Sequence, residues 1–264
     1  MQPNWQRQIN EELGKNYRWE VFAKGSSNAL YRGQFEDEHI VLRKNGPASD
    51  TPGVNREREA LLLALISTHQ WAPQVIENQI NDGWCAMQSY NPLLAKPQQT
   101  QLLDAIRDLQ NINLKPILQN GKNSLLTIDY QEIWDTAHLP QAQARVDKQA
   151  IEWIKQIKHQ LDTLPSLPTT LVHHDLHLGN LALEYTKTNP EQSQLILLDW
   201  EYGGIGNAWF DASALVRYFN ISPELIYTLP SYQHLSKSAF QAGLQQAIEL
   251  SELVNKLWHR TRGE

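Results

Sequence analysis

The sequence is poor in cysteine, in long apolar runs and in positive charge. Its 264 residues include one cysteine, Cys85, so no disulfide can form within the chain, and a reducing compartment is the expected setting. No stretch approaches the roughly 18 uninterrupted apolar residues that a membrane-spanning helix needs. Lysine and arginine number 23 against 29 acidic residues, a formal charge of -6, which argues against a general nucleic-acid binder.

The residues that are present suit a sizeable folded protein. The hydrophobic fraction is 41% and includes 9 tryptophans, enough to bury a substantial core. The first residues lack the apolar centre of a signal peptide. We therefore expect a cytoplasmic protein with no membrane or nucleic-acid partner, present as a monomer or weak homodimer.

Two acidic residues stand where apolar runs stop. Asp175 follows Leu171-Val172 within Leu171–Asn180, and Asp199 follows Leu195–Leu198. The apolar segments 181–183 and 195–198 between them have the pattern of two hairpin strands. This layout predicts a catalytic loop that leads into a metal-binding strand end.

Phosphoryl transfer needs a carboxylate near the acceptor hydroxyl and oxygen ligands for a divalent cation. Asp175, Asn180 and Asp199 provide these groups in the order and at roughly the spacing of the Asp-x-x-x-x-Asn loop and later metal-binding Asp of protein kinases. We predict a phosphotransferase that uses ATP and Mg²⁺, with Asp175 as the general base and Asn180 and Asp199 as metal ligands.

The same run is rich in histidine, which allows another interpretation. His173, His174 and His177 surround Asp175, and imidazole and carboxylate groups are zinc ligands. A zinc site would leave Asn180 and Asp199 unexplained, so the phosphotransferase interpretation is preferred.

The motif His173-x-Asp175-x-x-x-x-Asn180, followed by Asp199-Trp200-Glu201, resembles the aminoglycoside phosphotransferase and choline kinase superfamily. Within that superfamily the chain is most similar to bacterial thiamine kinases. The resemblance covers roughly residues 25 to 215. It implies an α+β, bilobal protein-kinase-like fold, with an N-terminal antiparallel sheet lobe carrying one helix (1–90) and a mainly helical C-terminal lobe (91–264).

The resemblance also implies nucleotide contacts in the N-terminal lobe. The loop Gly25–Asn28, with Ser26, Ser27 and Asn28, corresponds to the segment over the phosphates, where small residues let backbone amides approach an anion. Taken alone, this segment is more typical of an ordinary hairpin turn.

After this loop, the sequence has a candidate phosphate-binding cation on a strand and a carboxylate on the next helix. Alternation along 39–44 lets only one of Arg43 and Lys44 face a nucleotide; the resemblance favours Arg43, with Lys44 as the alternative. It assigns Glu59 on the helix 55–66 as the partner of that cation, with Glu57 as the competitor. Pro92 ends the last strand of the lobe, and the resemblance places the adenine pocket along 88–91, so Gln88 is a candidate contact.

Apolar residues recur at helical spacing over 102–112, 146–164 and 237–259, which predicts packing helices. The resemblance gives His173 the role of bracing the catalytic loop. Asp211 precedes the apolar segment 212–219, where it is expected to cap a helix and support the loop. Residues 203–207 are glycine-rich and are expected to form a flexible loop.

The acceptor is expected to be a small cationic alcohol. Aromatic faces and carboxylates stabilise a positive charge, and Trp200, Glu201, Tyr202 and Trp134 are the candidate contacts. The segment Asp199–Tyr202 with its glycine-rich turn resembles thiamine kinases, whereas choline kinases usually have Phe where this chain has Trp200. Choline, ethanolamine and aminoglycosides remain alternative acceptors, and a catalytically silent kinase-like binding module is the alternative of a different class.

Overall fold

The computed structural model describes residues 4–24, 28–47, 53–119, 123–186 and 189–262. The chain divides into two compact units: Met1–Pro92 with Ala182–Leu198, and Leu93–Leu181 with Asp199–Glu264. Residues 182–198, which include both hairpin segments except Leu181, therefore group with the N-terminal residues, although they were predicted to belong to the C-terminal lobe.

The strands, in chain order, are β1 Arg18–Lys24, β2 Asn28–Phe35, β3 Glu38–Asn45, β4 Val75–Gln79, β5 Trp84–Gln88, β6 Asn91–Pro92, β7 Thr170–Val172, β8 Leu181–Thr186, β9 Asn189–Leu197 and β10 Gly204–Gly206. The α-helices are α1 Asn4–Leu13, α2 Arg56–Ile66, α3 Gln99–Gln110, α4 Lys115–Gln119, α5 Asn123–Leu126, α6 Tyr130–Glu132, α7 Leu139–Ala144, α8 Lys148–Thr163, α9 Trp209–Phe219, α10 Pro223–Tyr227 and α11 Lys237–Arg262. A π-helix, Ile133–His138, joins α6 to α7, and single 3-10 turns lie at Leu178–Asn180 and Pro230–Tyr232.

The first unit is built on an antiparallel sheet in the order β1-β2-β3-β5-β4. Phe35 pairs with Glu38, so residues 36 and 37 form a two-residue hairpin turn, and Glu36 takes a positive φ of 52°. The side chain of Asn55 caps α2 by accepting the N–H of Arg58 at 2.9 Å. A second sheet has the order β6-β8-β9, with Asn91 opposite Leu183 and Pro92 opposite Ala182.

Helix α1 was not predicted, so the described part of this unit carries two helices, α1 and α2, where one was expected. Ile9 of α1 is buried in one cluster with Trp19, Leu42 and Trp84 of the sheet. Asn10 is buried too: its side chain accepts the indole N–H of Trp19 at 2.9 Å and donates to the carbonyl of Tyr17 at 3.0 Å. Bonding both ends of the amide avoids the cost of a buried unsatisfied polar group.

The second unit is mainly helical, as predicted, and the α+β fold class is confirmed. Helix α11 packs against α8 and α9. Trp209, at the start of α9, is fully buried beside the rings of Tyr232 and Phe240, and its indole N–H donates to the carbonyl of Pro165 at 2.8 Å. Strands β7 and β10 pair antiparallel, so residues 204–206 form a strand where the sequence analysis expected a flexible loop. Across the described ranges, no helix has the length and apolar character needed to cross a membrane.

Candidate active site

The backbone of the catalytic loop is held by Asp211. One carboxylate oxygen, Oδ2, accepts the N–H of His173 at 2.9 Å, and the other, Oδ1, accepts the N–H of His174 at 2.8 Å. Helix α9 begins at Trp209 with Ala208 as its N-cap, so Asp211 lies in the first turn and does not cap the helix, contrary to expectation. Burial raises the pKa of Asp211 to about 6, more than the two N–H bonds lower it. Asp211 thus contacts the loop directly, and its role as structural support stays a prediction.

His173 braces the loop from inside. The residue is fully buried, its Nδ1 accepts the N–H of Asp175 at 3.3 Å, and its ring lies 4.5 Å, centre to centre, from that of Trp200. His173 therefore fixes the backbone on which Asp175 stands.

Asp175 lies between Asn180 and His177. The Nδ2 group of Asn180 donates to both the backbone oxygen and Oδ2 of Asp175, each at 2.9 Å. His177 accepts the N–H of Gly179 at Nδ1, 3.0 Å away, and its Nε2 lies 3.6 Å from Oδ2 of Asp175. Burial raises the pKa of Asp175, but His177, His173 and Asn180 together more than offset this effect, so the pKa is lowered. The carboxyl group is consequently ionised at neutral pH and able to orient a hydroxyl group.

Asp199 begins the loop after β9 in a left-handed conformation, with φ at 60°. Asp and Asn are among the few residues other than glycine that adopt this conformation readily. Its negative charge contributes to a raised pKa of His177, after the larger effect of Asp175. The charge of Asp199 therefore interacts with His177 of the catalytic loop. A carboxylate close to this loop is consistent with the metal-binding role predicted for Asp199.

The residues fit a magnesium ion by their donor chemistry. Asn180 directs its amide nitrogen to Asp175, which leaves the amide oxygen for other partners, and Asp199 offers carboxylate oxygens; both are ligands that Mg²⁺ prefers. Among the described residues, no group of three or more His, Cys, Asp and Glu side chains is placed to hold a metal ion. The histidine-rich run thus does not form the zinc-type cluster considered from the sequence.

In the first unit, Arg43 forms the ion pair expected for the strand cation. Its Nη1 and Nη2 lie 2.5 and 2.7 Å from the two carboxylate oxygens of Glu59. Glu57 is exposed, whereas Glu59 is 2% exposed. Burial raises the pKa of Glu59, but Arg43 and Arg56 outweigh this effect and lower it. The carboxylate therefore stays ionised and fixes the guanidinium in a bidentate geometry.

Arg56 extends this cluster to the phosphate-loop segment. Its Nη1 donates to Glu59 at 2.9 Å, and its Nη2 donates to the side-chain oxygen of Asn28 at 2.9 Å. Asn28 is thereby tied to Arg43 through Arg56 and Glu59. Ser26 and Ser27, the other predicted phosphate-loop contacts, lie outside the described residues.

Two further N-terminal candidates have other contacts. Lys44, the alternative to Arg43, holds its ammonium 4.6 Å from the ring centre of Trp5, a cation–π distance. Gln88 donates from Nε2 to Glu184 at 2.6 Å. The geometry favours Arg43 over Lys44 as the paired cation, while the role of Gln88 in nucleotide binding stays a prediction.

The predicted acceptor contacts are mostly buried. Trp200 is 1% exposed, and Glu201 and Trp134 are each 5% exposed. Tyr202 is half-buried. As placed, Trp200 supports the loop by packing on His173, and Tyr202 is the candidate with the most accessible surface. Direct substrate contact by these four residues stays a prediction.

The contacts of Tyr130 and Arg56 were not predicted from the sequence. The hydroxyl of Tyr130 lies 2.5 Å from Nε2 of His174, a residue 44 positions away, and no periodicity marks such a contact. Arg56 carried a weak signal, because it stands three residues before Glu59, a spacing that puts two side chains on one helix face.

The chain belongs to the phosphotransferase enzyme family, which matches residues 18–240. It is therefore a phosphotransferase. No similar sequence was found among curated proteins.

Solved structures share the fold at low sequence identity. An ethanolamine kinase from Plasmodium vivax has a TM-score of 0.64 and 15% identity, over 92% of this chain and 75% of the other. The choline kinase LicA from Streptococcus pneumoniae has a TM-score of 0.60 and 16% identity, over 99% and 93%. A ternary complex of APH(2")-IIa with streptomycin and ATP has a TM-score of 0.66 and 12% identity, over 97% and 93%. These similarities confirm the protein-kinase-like fold.

Proposed function

We propose that the chain transfers the γ-phosphate of ATP to the hydroxyl group of a cationic alcohol, with thiamine as the acceptor and thiamine monophosphate as the product. The observation that carries the phosphotransfer is the arrangement of Asp175, an ionised carboxylate on a loop braced by His173, Asp211 and Asn180. Positioning and charge stabilisation, rather than covalent catalysis, dominate this chemistry.

Arg43 is the proposed cation for the nucleotide phosphates. Its guanidinium is fixed by Glu59, so little side-chain freedom is lost when an anion binds. Asn28, held by Arg56, marks the end of the proposed phosphate loop. ATP as the donor is further supported by the complex of APH(2")-IIa, which contains ATP.

In the proposed reaction, Asp175 orients the acceptor hydroxyl and accepts its proton. The hydroxyl oxygen bonds to the γ-phosphorus as the bond from that phosphorus to the bridging oxygen breaks, and ADP leaves. Asn180 and Asp199 would hold Mg²⁺, which neutralises charge on the phosphates when bound. His173 and Asp211 keep the loop in place throughout.

Thiamine is proposed on the resemblance of Asp199–Tyr202 to thiamine kinases. The same geometry serves choline, ethanolamine or an aminoglycoside equally well, and similar folds belong to choline and ethanolamine kinases. We propose a cytoplasmic setting on the single cysteine, Cys85, which is buried and reduced.

The test is ADP release with Mg-ATP and, in separate assays, thiamine, choline, ethanolamine and an aminoglycoside. Asp175→Asn removes the charge at nearly constant shape and should lower turnover by about 10² to 10⁴ fold, the usual contribution of a general base. Asp104→Asn makes the same chemical change at an exposed site in the same unit and should leave turnover unaltered.

The outcomes separate the proposals. Turnover of thiamine alone, lost in Asp175→Asn, supports both the acceptor and the base. Turnover of another acceptor keeps the mechanism and rejects thiamine. ATP binding without turnover of any acceptor favours the silent binding module.

A further inference from the structure

The hydroxyl of Tyr130 joins three separate segments of the second unit. It accepts the backbone N–H of Asn207 at 2.8 Å and lies 2.5 Å from Nε2 of His174. Asn207 in turn accepts the N–H of Trp209 through its side chain at 3.1 Å, at the start of α9. Helix α9 carries Asp211, which accepts the N–H groups of His173 and His174. The hydrogen bonds thus run from Tyr130 to the catalytic loop by two routes.

The catalytic loop needs such support because its backbone is strained. His174 has a φ of 72°, in the left-handed region that is unfavourable for a residue with a Cβ. Strained residues of this kind persist only where their surroundings hold them, and they are concentrated at functional sites. His174 directly precedes Asp175, so relaxation of its backbone would displace the proposed base.

Packing fixes the place of Tyr130. Its ring stacks on Phe210 with centres 5.6 Å apart and lies 5.3 Å from the ring of His174, which itself is 4.5 Å from Phe210. A Cβ on Gly206 would come within 2.7 Å of the Tyr130 oxygen, so only glycine lets β10 approach this closely. The rings set the position of the side chain, and the hydroxyl supplies the hydrogen bonds.

We propose that Tyr130 is a positioning residue that holds the catalytic loop through His174 and thereby fixes Asp175. The inference rests on the proposed function only in taking Asp175 as the base. Tyr130 itself touches neither substrate nor nucleotide in this role. Its contribution is to keep the carboxylate at the distance from the acceptor that the reaction requires.

The first variant is Tyr130→Phe, which keeps the ring contacts and removes only the hydroxyl. We expect kcat to fall between about tenfold and a hundredfold, the scale for a small misplacement of a reacting group, while KM for ATP changes by less than about twofold. The matched control is Tyr227→Phe. The Tyr227 hydroxyl donates to the carbonyl of Leu235 at 2.7 Å, so the same atom is lost away from the loop, and kcat should not change.

The second variant, His174→Asn, keeps a residue that tolerates the left-handed conformation but is too short to reach Tyr130. The loss caused by Tyr130→Phe should be several-fold smaller in this background than in the wild type, because coupled residues are not additive. If Tyr130→Phe does not fold, His174→Asn still tests the contact from the other side.

Hydrogen exchange gives a readout that does not depend on activity. Amide exchange over residues 171–180 should be faster in Tyr130→Phe than in the wild type and Tyr227→Phe, because the loop opens more often. The inference is overturned if the wild type is active and Tyr130→Phe and Tyr227→Phe have the same kcat and the same amide exchange rates. If the wild type is inactive but amide exchange is faster in Tyr130→Phe, the positioning role of Tyr130 is supported and the proposed function is rejected.

Discussion

At the scale of single residues, the two acids of the catalytic motif differ in backbone conformation. Asp175 follows a left-handed residue, His174, whereas Asp199 is itself left-handed. The side-chain charge of Asp199 and its tolerance of that backbone can be separated by substitution, because Asn shares the tolerance but lacks the charge.

Asp199→Asn is therefore expected to lower turnover with Mg-ATP by at least about a hundredfold, since one ligand charge for the metal is lost, with an almost unaltered Tm. Asp199→Ala should reduce turnover to the same degree. It should also lower the free energy of unfolding by about 1 kcal/mol, because the left-handed conformation is less favourable for Ala than for Asp or Asn. The measurements are initial rates over a magnesium titration and thermal unfolding. Equal stability of the two variants would contradict the role given to the backbone.

The sequence identified the residues whose chemistry is local to a motif. Asp175, Asn180 and Asp199 could be named because their spacing along the chain is itself the signal. Tyr130 could not, because its contact with His174 depends on how distant segments fold together. Trp200 was proposed as a substrate contact because of its aromatic chemistry; its bulk and apolar character also suit the buried position that it takes, and its contact with a substrate stays a prediction.

At the scale of elements, strongly periodic segments were predicted well. The ends of helices α3, α8 and α11 differ by at most three residues from the segments predicted for them, because a stripe of apolar residues is both the sequence signal and the packing surface. Helix α1 was missed although Trp5, Ile9 and Leu13 recur every four residues. Residues 120–140 were left without assigned structure, because a π-helix shifts the period of a helix.

The π-helix contains a buried histidine with a consequence for stability. His138 is 5% exposed, and burial lowers its pKa from 6.5 to about 4. Between these two pH values the unfolded chain binds one more proton than the folded chain. His138 therefore does not lower the free energy of unfolding above about pH 6.5. As the pH drops below this value, His138 lowers it by roughly 1.4 kcal/mol per pH unit and by about 3 kcal/mol in total.

His138→Leu should remove this part of the acid sensitivity, because leucine has no proton to bind. Urea unfolding between pH 4 and pH 7 measures the effect as the change of unfolding free energy with pH. The exposed His159 of α8 provides the matched control, and His159→Leu should follow the wild-type curve. A wild-type curve that is parallel to that of His138→Leu over this range would contradict the prediction.

At the scale of the whole molecule, the two units are not consecutive in the chain. Residues 182–198 belong with residues 1–92, and the sequence could not indicate this grouping because the segment follows the catalytic motif directly. The link is made by long-range hydrogen bonds: Leu197 donates its N–H to the carbonyl of Trp71 at 2.8 Å, and Gln88 donates to Glu184 at 2.6 Å. A fragment that ends at Pro92 lacks both of these partners.

The grouping predicts how the first unit can be isolated. Pro92 lies opposite Ala182 in an antiparallel pair, so a two-residue Asn-Gly turn can join them in place of residues 93–181. We expect this joined fragment to unfold cooperatively and at a higher temperature than residues 1–92 alone. Leu195, Ile196 and Leu197 of β9 are buried, and each fully buried side chain contributes roughly 1.5 to 3 kcal/mol. Circular dichroism melting of both fragments measures the difference. The matched control carries residues 182–198 in scrambled order after the same turn, and it should melt like residues 1–92 alone. If the scrambled and native segments stabilise the fragment equally, residues 182–198 are not a specific part of the first unit.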